Sequence, residues 1–262
     1  MDYLPFAISV AKEAGQIMRQ HFQLGMKKEW KADHSPLTLT DVAVNKLVID
    51  RVKVTHPDHG VLGEEASLPT TSKHLWVVDP IDGTIPFSHG VATFTFSLAL
   101  VVDGAPQVGV LYDPISERLL SAEKGRGAFL NGQPTRVSDQ TELAHSVINI
   151  DGPWTEKGAA SLNFFNLLEP LDQQKALLTK FSCMSYGGLL VAMGEYSAAL
   201  CNGKFPWDIA ALKVIVEEAG GTVTDLNGND QRYDQELYGA IISNGKVHPQ
   251  LLEIVTQALN RP

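Results

Sequence analysis

Cysteine is nearly absent: the 262 residues hold two, Cys183 and Cys201, with no CxxC pair and no Cys/His ligand spacing. That excludes a disulfide-stapled framework and a zinc finger, and it suits free thiols in a reducing cytoplasm. Missing too is any apolar stretch of the roughly 20 residues a membrane helix needs. The start, MDYLPFAISVAKEAG, has neither the basic flank nor the cleavage pattern of a signal peptide. Basic residues are in deficit, 21 Lys and Arg against 30 Asp and Glu, for a net charge of −9. Such a balance argues against nucleic acid or an anionic membrane as the main partner. A phosphorylated small molecule stays compatible, because bound cations reverse the local field. There is no repeat, low-complexity tract or charged tail, and the eight histidines are scattered. His56 and His59 sit in THPDHG, which reads as a turn rather than a zinc site.

What is present is a folding composition, 44% hydrophobic and 19% charged, with length enough for one large domain or two small ones. Ala7, Val10, Ala11, Ala14, Ile17 and Met18 form one stripe of a helix over 5–22, closed by Gly25. KKEWKADHSP reads as an exposed loop or hairpin, and a second helix runs from Asp41 to Thr55 with Thr40 or Asp41 near its N-cap. From Val61 short strands follow: VLGEE, HLWVVD, TFTFSLALVVDG, PQVGVLYDP and ERLLSAEKG. Phe94–Val102 is apolar on both faces, as in a strand covered on each side. Asp103-Gly104 and Asn131-Gly132 are hairpin-type turns. The second half reads as helix over 158–180, strand over 181–186, helix over 187–194, strand YSAAL, helix over 208–219 and helix over 248–259. The mixture predicts a layered α/β sandwich in two halves, 1–140 and 141–262.

Carboxylates concentrate where elements meet: Gly63-Glu64-Glu65, Asp79-Pro80-Ile81-Asp82-Gly83-Thr84 and Trp207-Asp208. Asp79 is expected at the end of a strand over Leu75–Val78, the edge where α/β sheets place ligands, with Pro80 stopping the ladder. Gly83 lets backbone approach a ligand, and a short helix from Thr84 offers free N–H groups to a phosphate. Two aspartates converging across a tight turn repel unless a hard cation such as Mg²⁺ sits between them. Glu64 and Asp208 could join them. Each segment alone also has an ordinary structural reading: Asp-Pro and Asp-Gly are turn formers, Glu-Glu is a solvated pair, and Asp before an apolar helix is an N-cap.

Taken together, GEE, WVVDPIDGT and WDIAALKVIVEEAGG, with KADHSPLTLTD, GVLYDP and EKGRGAFLNG, resemble the inositol monophosphatase superfamily of Mg²⁺-dependent, lithium-sensitive phosphatases over most of the chain. The resemblance implies an αβαβα sandwich of the sugar-phosphatase type, a homodimer or larger oligomer, and hydrolysis of a small phosphorylated metabolite with two to three Mg²⁺ ions. It assigns Glu64, Asp79 and the Ile81 carbonyl to a first metal, and Asp79, Asp82 and Asp208 to a second. Glu64 faces a third through water. Thr84 and Asp41 orient the attacking water, and the N–H groups of Gly83 and Thr84 hold phosphate. Lys31 matches a lysine near the site, and Ser88 and His89 fall beside the pocket.

Two departures bear on substrate. The glutamate that inositol-specific members carry seven positions before the WD aspartate is Cys201 here, a poor acceptor, and Pro86 stands where Asn follows the DGT motif. KADHSPLTLTD is nearer the branch acting on histidinol phosphate and 3′-phosphoadenosine phosphates. Inositol monophosphate stands first among the expected substrates and those two follow. A bisphosphate such as fructose 1,6-bisphosphate would need more basic residues than the pocket segments offer. A reading of another class, a non-catalytic metal and phosphate binder, is opposed by the competent residues at all the ligand positions and at Thr84 and Asp41.

Overall fold

The computed structural model describes residues 2–26, 28–30, 36–152 and 162–260. Lys31, the Trp30 side chain and the first residues of the helix expected over 158–180 lie outside them. Helix α1 (Leu4–His21) leads into a hairpin, β1 (Glu29–Trp30) against β2 (Pro36–Leu37), and then α2 (Leu39–Thr55). Seven strands follow: β3 (Gly60–Gly63), β4 (His74–Asp82), β5 (Thr95–Val102), β6 (Ala105–Asp113), β7 (Arg118–Glu123), β8 (Ala128–Leu130) and β9 (Gln133–Pro134). Short α3 (Thr84–Ser88) lies between β4 and β5. They form one sheet in chain order, antiparallel throughout except for β3 beside β4. The turns Asp103-Gly104 and Asn131-Gly132 have positive φ at both residues, 52° and 86°, then 50° and 79°. Two left-handed residues are what a tight turn needs to match strand twist.

The remaining elements are β10 (Val147–Asp151), α4 (Phe165–Gln173), β11 (Leu177–Thr179), α5 (Met184–Ala192), β12 (Ala198–Cys201), α6 (Pro206–Glu218), β13 (Thr222–Thr224), β14 (Ala240–Ser243) and α7 (His248–Leu259). Their five strands form a second sheet in the order β11-β10-β12-β14-β13, with β10 parallel to both neighbours.

Three apolar clusters hold the layers together. Ala7, Val10, Ala14, Val44 and Val48 of α1 and α2 pack on Trp76, Val78, Leu98 and Val110 of the first sheet. The opposite face, with Val77, Ala99 and Leu111, meets Leu189, Leu212 and Ile215 of α5 and α6, which also cover Ala199 and Ile242 of the second sheet. Leu167, Leu251 and Val255 of α4 and α7 close the far side over Ile150, Leu200 and Ile241. The order helix–sheet–helix–sheet–helix is the expected αβαβα sandwich. Burying apolar area at roughly 25 cal/mol per Å² on every sheet face drives this stacking. Gly109 lets α6 come close, since a Cβ there would lie 2.6 Å from Val214 Cγ1. No helix among the described residues is long and apolar enough to cross a membrane.

Several boundaries move. Helix α1 ends at His21, before Gly25, and α2 starts two residues before Asp41 because Thr38 caps it: Thr38 Oγ1 accepts from Thr40 N, and Asp41 accepts from Thr38 N at 2.8 Å. Pro80 interrupts the β4 ladder but does not end it, since pairing resumes at Asp82. Residues 177–192, expected as helix end, strand and helix, are instead β11 followed by α5 from Met184.

Candidate active site

The site starts from an irregularity in β4. Asp79 pairs with Ser97 and Asp82 with Thr95, so three steps along β4 match two along β5. Side chains three apart in a regular strand point to opposite faces; the extra residue, at Pro80-Ile81, returns Asp82 to the face of Asp79. Asp79 Oδ1 accepts from Ile81 N at 3.0 Å, closing the turn. Gly83 then takes φ 89°, ψ 41°, where a Cβ would fall 2.9 Å from both the Thr93 carbonyl and Cys183 Cβ. Only glycine suits both the angle and the space.

Strand β5 ties this bulge to the second half of the chain. Ser97 Oγ donates to the Trp207 carbonyl at 3.2 Å, next to Asp208 in the first turn of α6, and Thr95 Oγ1 lies 2.5 Å from Ser185 Oγ at the start of α5. Trp207 itself stacks on Phe205 at 4.7 Å, a packing role. Glu64 follows Gly63, the partner of Val78, and so sits beside Asp79, with its N–H on the Val78 carbonyl at 3.3 Å. Thr84 Oγ1 is 3.1 Å from the Ile81 carbonyl and 3.4 Å from Asp41 Oδ1. Glu64, Asp79, Asp82, Asp208, Asp41 and Thr84, from four separate segments, thus meet in one basin.

Electrostatics confirm the crowding. Burial, and then the charges of Glu64, Asp82 and Asp208, push Asp79 well above the ordinary carboxylate range. Asp208 is raised likewise, by burial and then by Asp82 and Glu64. Asp82 rises to about 6 through burial, although Ser185 N at 2.5 Å, Ser185 Oγ and Met184 N at 3.2 Å favour its charged form. Asp41 also rises to about 6 through burial, against the pull of its two bonds from Thr38.

Among the described residues no three His, Cys, Asp or Glu side chains form a ready-closed metal cluster. Asp79 instead hydrogen-bonds Glu64 and Asp208. Two carboxylates so placed must share a proton; a divalent cation relieves the same repulsion with the oxygens opened around it. Burial and neighbouring acids are the strongest influences raising Asp79 and Asp208, and no basic side chain is among them. A set of hard carboxylate oxygens crowded together fits Mg²⁺ and does not fit a soft metal.

The substrate-side readings fare differently. Ser88 is buried and its hydroxyl is used on the Ile85 carbonyl at 3.1 Å. His89 is exposed, with Nε2 2.8 Å from Lys28 Nζ. Cys201 is buried beside the basin, its thiol raised by burial and then by Asp208, and it accepts from Gly203 N at 3.2 Å. Asp151 and Ser185 escaped sequence reasoning. Asp151 adds negative charge that acts on Asp82 and Asp208, and Ser185 holds Asp82. Neither has a local motif; only the meeting of β10 and α5 with β4 reveals them.

The chain is similar to known proteins along almost its whole length. The family model described as "Inositol monophosphatase family" matches residues 2–260. Inositol monophosphatase 1 of Solanum lycopersicum is 32% identical, with 98% of this chain and 94% of that protein covered. A histidinol-phosphatase of Chlorobaculum parvum is 34% identical over 96% of each. The solved structure of a Thermotoga maritima IMPase superposes with a TM-score of 0.88 at 29% identity, covering 99% of this chain and 98% of that one. On the family match and these relatives, the chain belongs to the inositol monophosphatase family, and it is a phosphoric monoester hydrolase of small metabolite phosphates.

Proposed function

We propose that the chain is a Mg²⁺-dependent, lithium-sensitive phosphatase that attacks its substrate directly with water. The observation carrying this reading is the basin itself: acids from both halves of the chain, 1–140 and 141–262, gathered beside the Asp41–Thr84 pair. Glu64, Asp79, Asp82, Asp208 and the Ile81 carbonyl would hold two to three ions. Mg²⁺ bound there supplies Lewis-acid polarisation of water and neutralises charge on the phosphate and the departing alkoxide. The chain's own part is orientation and proton handling. Thr84 Oγ1 and Asp41 form a relay at 3.4 Å that aims a water and takes its proton, with Thr38 fixing the Asp41 carboxylate. The N–H groups of Gly83 and Thr84, at the left-handed turn before α3, would hold phosphate oxygens.

Inositol monophosphate is the first substrate candidate, supported by the family and by the Solanum lycopersicum relative. Histidinol phosphate is the second, favoured by the thiol of Cys201, which offers sugar hydroxyls no carboxylate. Two buried free cysteines support a cytoplasmic, reducing location, and the family resemblance supports a homodimer.

The test is phosphate release from inositol, histidinol, sugar and nucleotide monophosphates, ranked by kcat/KM, with Mg²⁺, with chelator and with added Li⁺. Activity on at least one of them that requires Mg²⁺ and falls with Li⁺ is expected. Equal turnover in chelator would overturn the metal-dependent reading.

A further inference from the structure

We infer that Asp151 is a positioning residue, anchoring the turn over 181–185 that holds the Asp82 carboxylate and so setting how tightly the basin binds its cation. The inference rests on the reading of Glu64, Asp79, Asp82 and Asp208 as the cation site.

Asp151 ends β10 and lies level with Cys201 at the end of the neighbouring β12, and it is 2% exposed. Its carboxylate is fixed on both oxygens. Oδ2 accepts from Phe181 N at 3.2 Å, Cys183 N at 3.3 Å and Asn149 Nδ2 at 3.0 Å, while Oδ1 faces Lys180 Nζ at 3.4 Å. Between the two backbone donors Ser182 takes φ 57°, a left-handed angle that costs a non-glycine residue energy and persists where surrounding contacts hold it. Here the carboxylate is the contact around which the turn winds.

What the turn delivers next is decisive. Cys183 Sγ donates to the Asp82 carbonyl at 3.3 Å, and the N–H groups of Met184 and Ser185 reach its carboxylate. These are the first N–H groups of α5, which has no side-chain cap of its own from Cys183. One acid shapes the turn, and the turn's following donors orient a second acid among the proposed ligands. Groups behind a ligand that fix its orientation change metal affinity by roughly 10–100-fold when removed.

Position and charge are separated by two substitutions in the full-length protein. Asp151→Asn keeps an oxygen for both backbone donors and loses the charge. Asp151→Glu keeps the charge and displaces the acceptor by a methylene. The readouts are the Mg²⁺ concentration for half-maximal thermal stabilisation and for half-maximal activity, with kcat and substrate KM at saturating Mg²⁺. For Asp151→Glu a midpoint raised roughly tenfold or more in both Mg²⁺ titrations is expected, with kcat and KM within a few-fold of wild type. Asp151→Asn, which loses a charge felt by Asp82 and Asp208 but keeps the acceptor for the turn, should raise the Mg²⁺ midpoint only a few-fold and leave kcat and KM near wild type. A wild-type Mg²⁺ midpoint for Asp151→Glu, or an Asp151→Asn midpoint raised as far as that of Asp151→Glu, overturns the positioning role while leaving the cation reading intact. A wild-type protein that shows no response to Mg²⁺ overturns the cation reading and this inference with it.

Discussion

The two ends of β4 carry opposite kinds of titratable cluster. At its end, Asp79 and Asp82 join Glu64 and Asp208 in the acid basin. At its start, His74 stacks on His59 at 4.7 Å and His59 on His56 at 4.8 Å, the planes of each pair within 15°. Trp76 Nε1 donates to His59 Nδ1 at 3.1 Å, so that ring accepts there, and Tyr3 and Phe6 meet His56 edge-on. Burial pushes Asp79, Asp82 and Asp208 upward and His56 and His59 downward, each toward neutrality. His59 falls to about 4 through burial and then through His56 and His74, and His56 is lowered by burial. The histidines then serve as flat aromatic surface between α1, α2 and the sheet. The acids are useful only when charged, and so need a cation. Crowding alone therefore does not mark a catalytic centre; the sign of the charge and the nature of the donors decide.

The comparison breaks most visibly at Asp79. Asp79→Asn removes a charge at constant size and should lower kcat on the order of 10³-fold, about 4 kcal/mol of barrier. Without metal its melting temperature should hold or rise, because one member of a repelling set is gone. A fall in metal-free stability equal to the loss of activity would mean that the basin is structural.

Next comes the response to Mg²⁺ and pH. Asp41 and Asp82 have folded values above their unfolded ones, so the stability they contribute is complete below about pH 4 and lost as pH rises through about 6. In chelator, the basin should therefore favour the fold less at pH 7.5 than at pH 5.5. Mg²⁺ at a hundredfold its Kd should restore about 2.7 kcal/mol at pH 7.5, several degrees in Tm, and visibly less at pH 5.5. Differential scanning calorimetry at the two pH values checks this.

Thr84→Val should reduce kcat roughly 10–30-fold, the loss of a hydrogen bond to a charged partner, with the Mg²⁺ midpoint unmoved. A shifted midpoint would place Thr84 among the groups that hold the ion.

The smallest effect sharpens the other end of the strand. The folded value of His59 lies below its unfolded one, so its stability is present above pH 6.5 and lost as pH falls toward 4. His59→Gln should flatten the acid side of the stability curve by about 1 kcal/mol, after allowance for the ring's partial exposure. An unchanged acid limb would show that the stack does not sense pH.

Much of this was legible in the residues. The final helix, 248–259, coincides with α7, and the two hairpin turns fall at Asp103-Gly104 and Asn131-Gly132. Both rest on local physics, apolar spacing and left-handed turn residues. The start of α2 differs from the expected one because the capping residue, Thr38, precedes a further Thr and Asp that look equally suitable. Residues 177–192 depart from the local pattern for another reason. The N–H groups of Phe181 and Ser185 turn toward Asp151 and Asp82, partners 30 and 103 residues away that no local pattern announces.

By itself the sequence determined the class of donors, hard carboxylate oxygens in recognisable motifs, and the alternation of helix and strand that must stack in layers to bury apolar faces. The tertiary structure alone decided that Asp79 and Asp82 share a face, through one extra residue in β4, and that Asp151 stands behind Asp82. Strand pairing and side-chain direction alternate with a period of two, so a single inserted residue reverses which acids meet. That register is set by neighbours distant in the chain.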